Sequence, residues 1–200
     1  SDIEHKIVGT FLKMLDAKKI TKYYQPIEQV SLQRLDKDLM ISKLKNVTQY
    51  KKSTITFQKL SITDLFFMCD YVYGYKYRAI DELINLYNKA NLDLFSPAEF
   101  ILANGKTSII TPPIVECHDN KYVVISGLTR LFYAYKQNIK DVIVAVVEDC
   151  KEDTPIKERY SIEELRIKDS PLDLRDRKKR NYENYRFIER VLRPSNSSLI

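Results

Sequence analysis

The run Val142-Ile143-Val144-Ala145-Val146-Val147 constrains this chain more than any other stretch, because its six consecutive apolar residues have the length of a buried strand. Upstream of it, Ile114-Val115-Glu116, the turn pair Asp119-Asn120 and residues 122–125 read as a β-hairpin. A helix over 128–137 follows, ended by Asn138, which tolerates a left-handed conformation. Residues 54–60 carry β-branched side chains at alternating places and predict a strand. Ile80, Leu83, Ile84 and Tyr87 mark a helix over 77–91. Ser96-Pro97-Ala98-Glu99 has the form of a capping box with proline at the first helical position. With Asn104-Gly105 as a stop, it predicts a helix of about nine residues. Strand, helix, helix, strand, strand, helix, strand is the order of a mixed α/β or α+β domain.

Flanking segments read differently. Ile7, Val8, Phe11, Leu12 and Leu15 form one stripe of an amphipathic helix over 2–19. Val30, Leu32, Leu35, Leu39 and Leu44 give a second helical pattern after Pro26. The polar stretch 47–53 suggests a boundary near residue 50, and hence a helical extension at 1–50, an α/β domain at 51–150 and a C-terminal segment at 151–200. That last segment is expected to hold a basic helix over 176–193 and a mobile tail at 194–200.

Charge is concentrated there. The chain carries 33 basic and 27 acidic residues, a net +6, of which +4 lies between Arg175 and Arg190. Arg177, Lys178, Lys179, Arg180 and Arg186 are therefore candidate contacts to DNA or RNA phosphates, although a charge run also serves simply as a solvated face. No stretch approaches the roughly 18 to 20 apolar residues of a membrane span, and the first residues do not read as a signal peptide, so a soluble, cytoplasmic protein without a membrane partner is expected. Cys69, Cys117 and Cys150 are far apart and form no CxxC pair, and the only histidines are His5 and His118. Neither a structural zinc site nor a disulfide framework is expected from this spacing. His118 reads as an exposed turn residue, and Cys117 and Cys150 as packing residues. Tyr71, Tyr73, Tyr75 and Tyr77 alternate, as a stacking face for bases or a half-exposed strand would.

Where the first hairpin ends, Ser126-Gly127-Leu128-Thr129-Arg130 joins a strand to a helix. Gly127 permits a tight turn, the helix points unpaired N–H groups at the same spot, and Arg130 adds a forked cation, a combination suited to phosphate. Pro113-Ile114-Val115, the stretch from Lys121 to Leu131 and Asn138-Ile139-Lys140-Asp141-Val142 together resemble the core of the ParB/sulfiredoxin fold. The likeness covers residues 112–148 and extends back to strand 54–60, with Arg78 standing near the family's early arginine.

That resemblance implies a small mixed sheet of ParB/sulfiredoxin type and a phosphate site at Ser126, Gly127, Thr129, Arg130 and Arg78, with ATP or CTP and Mg²⁺ as cofactor. The departures matter as well. Sulfiredoxins carry a nucleophilic cysteine where this chain has Leu128, so reductase chemistry is not expected. The family's Gly-Glu-Arg-Arg box is here Gly127-Leu128-Thr129-Arg130, and no second nucleotide motif follows Val147, which argues against a CTP-gated clamp. The expected function is binding of a nucleotide or nucleic-acid phosphate in a DNA-related role, with a nucleotide, either DNA or RNA, and a second copy of the chain in a homodimer as the candidate partners. The rivals are a phosphotransferase or nuclease, with Asp64 or Glu116 holding Mg²⁺, and a nonenzymatic adaptor.

Overall fold

The computed structural model describes residues 30–102, 105, 107–169 and 186–192. The helix expected at 2–19, the basic cluster at 175–180 and the tail at 194–200 lie outside the described residues. In chain order the elements are β1 (Ser31–Arg34), α1 (Lys37–Leu44), β2 (Thr54–Ser61), β3 (Leu65–Phe66), β4 (Tyr71–Tyr73), α2 (Gly74–Lys89), β5 (Ala98–Ile101), β6 (Thr107–Ile110), β7 (Ile114–His118), β8 (Lys121–Ser126), α3 (Leu128–Lys136), β9 (Asp141–Glu148), β10 (Arg166–Lys168) and α4 (Ile188–Leu192). This is a mixed α/β fold of the α+β kind.

Its centre is a five-stranded mixed sheet in the order β2-β9-β7-β8-β3. β9 lies antiparallel to β2 along its whole length and parallel to β7, which explains its unbroken apolar sequence: every residue from Val142 to Val147 is buried. The two faces are covered by different helices. Val142, Val144, Val146, Val115 and Val124 pack with Leu83 of α2 and Leu131 and Phe132 of α3. Ala145, Val147, Ile114, Val123 and Ile125 pack instead with Met40 and Leu44 of α1 and Ile188 and Leu192 of α4. The β7–β8 hairpin turns at Asp119 and Asn120, both at positive φ (51° and 63°) as a primed two-residue turn requires, and Asn138 adopts the left-handed cap (φ 62°) after α3.

Three expectations are corrected. Residues 31–34 are a strand, not part of a helix, and pair antiparallel with β5. Residues 98–101 are a strand as well: Ala98 and Phe100 are buried while Glu99 and Ile101 are half-buried, an alternation of period two, and β5 pairs on its other side with β6. The box-like Ser96-Pro97-Ala98-Glu99 makes no cap because pairing on both edges of β5 satisfies its backbone, and Ser96 N–H bonds back to the Asp93 carbonyl. Nor does packing break at residue 50, since Leu35, Met40, Leu44, Val47 and Tyr50 share one core with Ile55, Ile114 and Val147. Near the other end, β10 adds a parallel partner to β4, and Tyr71 and Tyr73 are buried within that pair rather than forming an open stacking face.

Candidate functional site

Among the described residues, two places combine polar chemistry with a rigid frame, and they lie on opposite faces of the central sheet. At the junction of β8 and α3, Gly127 has φ 99° and sits directly on Pro113: a Cβ built there would come within 2.8 Å of the Pro113 Cβ. Ser126 is buried at the end of β8 and Thr129 is half-buried on the first turn of α3. Arg130 is not a free surface cation. It is 3% exposed, donates from Nη1 to the Thr111 carbonyl at 2.6 Å, and lies over the Phe95 ring with 5.5 Å to the centroid. Thr111 is also buried, and its side-chain hydroxyl has no hydrogen-bond partner among the described residues. Arg78 is elsewhere engaged, paired with Asp169 on the exposed surface at 3.0 Å.

On the opposite face, Glu116 of β7 is completely buried and accepts from four donor groups. Tyr50 O–H donates to its Oε2 at 2.5 Å, His118 Nε2 lies 2.7 Å from Oε1, and Arg186 grips both oxygens, Nε to Oε2 at 2.9 Å and Nη2 to Oε1 at 3.0 Å. Arg186 is 2% exposed and also reaches the Glu152 carboxylate at 2.8 Å and the Glu152 and Asp153 carbonyls at 3.2 and 2.9 Å. It therefore faces inward and offers nothing to an external polyanion, contrary to its expected role in nucleic-acid binding. His118 is likewise no exposed turn residue: its side chain is 10% exposed. Cys150 comes in because the chain leaves β9 at Asp149, whose φ of 63° turns it back. One ligand-type atom each from Glu116, His118 and Cys150 lies within 4.8 Å of the other two.

Asp64 and Glu116 do not converge. Asp64 is exposed in the turn before β3, and β8 separates β3 from β7, which places the two strands about 10 Å apart at about 4.8 Å per strand spacing. Glu116 spends both oxygens on its own network. A Mg²⁺ held by this pair beside the Gly127 turn is thus not the arrangement observed.

Burial alone would raise the Glu116 pKa, but hydrogen bonds from His118, Arg186 and Tyr50 and the Arg186 charge outweigh it and hold the carboxyl below its usual value near 4.5. Burial pushes the Tyr50 phenol well up, with Glu116 adding to it, and burial together with Glu116 lifts the Cys150 thiol to about 11, so both are protonated at neutral pH. A carboxylate with a depressed folded-state pKa contributes stability that is fully present above its unfolded value and is lost as pH falls through the folded one. Wild type should therefore lose stability as the pH drops below about 4.5. Glu116→Gln should be less stable at pH 7, with the gap closing in acid. Urea melts of both proteins across this range check the prediction, and parallel curves would contradict it.

No protein-family model, curated protein or solved structure matches the chain. Glu116 and Arg186 each stand out in the sequence, but 70 positions separate them and no local pattern announces their pairing. Tyr50 and Glu152 carry no local signal, and Cys150 reads in the sequence only as a packing residue.

Proposed function

We propose that the chain binds a phosphate-bearing ligand, a nucleotide or a nucleic-acid phosphate, at the turn between β8 and α3, in the manner that its likeness to the ParB/sulfiredoxin segment suggests and in a DNA-related role. The observation that carries the reading is the buried Thr111 hydroxyl without a partner. It belongs to the Thr111-Pro112-Pro113 segment, whose Pro113 packs on Gly127 and whose Thr111 carbonyl anchors Arg130. An unsatisfied buried hydroxyl costs about 1 to 3 kcal/mol and is the kind of group a ligand at the adjoining helix start would satisfy. Binding rather than phosphoryl transfer is favoured, because Asp64 lies about two strand spacings from β7 and Glu116 is turned to the other face of the sheet.

Thr111→Val tests this in two directions at once. Removing the orphaned hydroxyl with little change of shape should raise the melting temperature of the ligand-free chain, by roughly 2 to 12 °C if all of that 1 to 3 kcal/mol is recovered. The same change should weaken the binding of ATP, CTP or a short oligonucleotide by about 2- to 13-fold, the worth of one hydrogen bond. Calorimetric titration of both proteins decides it. A wild type that binds none of these ligands, or a variant that binds them equally well, would remove the reading.

A further inference from the structure

The pocket around Glu116 is built to hold a cation, and in the described state that cation is a side chain. Glu116 and Glu152 supply carboxylates, and Glu152 and Asp153 supply carbonyls. The cation arrives on a short element, Arg186 followed by the five-residue α4, whereas the pocket walls belong to β7 and the segment after β9. Behind Arg186, Glu116, His118 and Cys150 offer one oxygen, one nitrogen and one sulfur donor within 4.8 Å of one another. His118 Nδ1, the other ring nitrogen, stands 3.8 Å from a carboxylate oxygen of Asp153, beyond hydrogen-bond distance but on the side where metal-bound imidazoles commonly have a carboxylate partner.

From this geometry we infer that Glu116, His118 and Cys150 form a site for a zinc-type divalent ion, and that Arg186 occupies it as a tethered competitor, so that metal binding and docking of residues 186–192 exclude one another. A carboxylate, an imidazole and a thiolate are all established zinc donors, and three protein ligands leave a fourth position open. Bond lengths of about 2.0 to 2.3 Å place tetrahedral donors about 3.5 Å apart, so Oε1 and Nε2 separate from their 2.7 Å contact as the ion replaces the hydrogen between them; that proton moves through solvent to Nδ1, and the imidazole stays neutral. Charge balances in both states. With Arg186 docked, one guanidinium offsets the Glu116 carboxylate and Cys150 keeps its proton. With the ion bound, its two positive charges offset Glu116 and the Cys150 thiolate, the thiol proton having passed to solvent. Tyr50 donates to the outer oxygen of Glu116 throughout. This site lies on the sheet face opposite the Gly127 turn and stands or falls independently of the phosphate reading.

Cobalt titration of the full chain provides the test, because Co²⁺ reports tetrahedral coordination through its visible bands and a thiolate ligand through a near-ultraviolet charge-transfer band. Arg186→Gln should bind one Co²⁺ at least about tenfold more tightly than wild type, since the docked guanidinium taxes apparent affinity by the fraction of molecules in which it is out. Adding Cys150→Ser should abolish the charge-transfer band. In wild type, excess Zn²⁺ should speed amide hydrogen exchange across residues 188–192, a readout that needs no variant. If Arg186→Gln does not fold alone, Zn²⁺ should restore its circular dichroism. A folded Arg186→Gln without the charge-transfer band overturns the proposal, as does equal affinity in the two proteins, exchange at 188–192 unmoved by Zn²⁺, or an unfolded variant that metal does not restore.

Discussion

Glu116→Ala should lower the melting temperature of this 200-residue chain by roughly 6 to 20 °C. Arg186 would be left 2% exposed with its bidentate partner gone, and Tyr50 and His118 would lose their acceptor. Breaking a buried ion pair by removing one member costs about 3 to 5 kcal/mol, and a chain of this size loses about 2 to 4 °C per kcal/mol. Glu152→Ala makes the informative comparison. It removes a hydrogen bond to the same guanidinium, but the Glu152 side chain is 60% exposed, so a loss of no more than about 1 kcal/mol is expected. Replacing both members by apolar residues, Glu116→Leu with Arg186→Met, should recover much of the loss, because the desolvation of both charges is then avoided. Thermal melts of the four proteins check the set. If Glu116→Ala melted like Glu152→Ala, the buried pair would not anchor residues 186–192.

Gly127→Ala should be nearly as damaging for a different reason. A φ of 99° is strained for any residue with a Cβ, at a cost of about 1 to 3 kcal/mol, and the added carbon would stand 2.8 Å from the Pro113 Cβ and 3.0 Å from its Cα. Backbone on that side cannot swing away as a flexible side chain would, which adds about 1 to 3 kcal/mol of overpacking. The sum is roughly 2 to 6 kcal/mol. Gly105→Ala separates the two contributions: its φ is 82°, but among the described residues nothing lies within 4 Å of the new carbon, so only the backbone strain applies. Chemical denaturation should rank wild type above Gly105→Ala and that variant above Gly127→Ala. Equal losses at the two glycines would mean that the close approach to Pro113 contributes nothing.

Elements whose signals are local were legible in the sequence. Alternating β-branched residues mark β2, the Asp119-Asn120 pair marks the hairpin turn of β7 and β8, Asn138 marks the end of α3, and the unbroken apolar run marks β9 as a strand covered on both sides. Each depends on residues a few positions apart, and each follows from steric or burial preferences that act before any distant partner is in place. The turn at Gly127 belongs with them, since a glycine between a strand and a helix announces a backbone that other residues resist.

Only the tertiary structure decided the rest. Residues 98–101 carry a helix-start pattern, yet they are a strand because β1, 64 to 70 positions earlier, and β6 satisfy their backbone on both edges. Tertiary pairing of this kind overrides a weak local propensity. Arg130 and Arg186 look alike in sequence, two cations suited to phosphate, but both are drawn inward: one to a backbone carbonyl and an aromatic ring, the other to a buried carboxylate 70 residues away. Composition and spacing determined that this chain would build a buried mixed sheet with a glycine turn at the end of one strand. Which charges it would bury, and with whom, depended on contacts between distant segments, because desolvating an ion is tolerated only where the fold brings a partner to it.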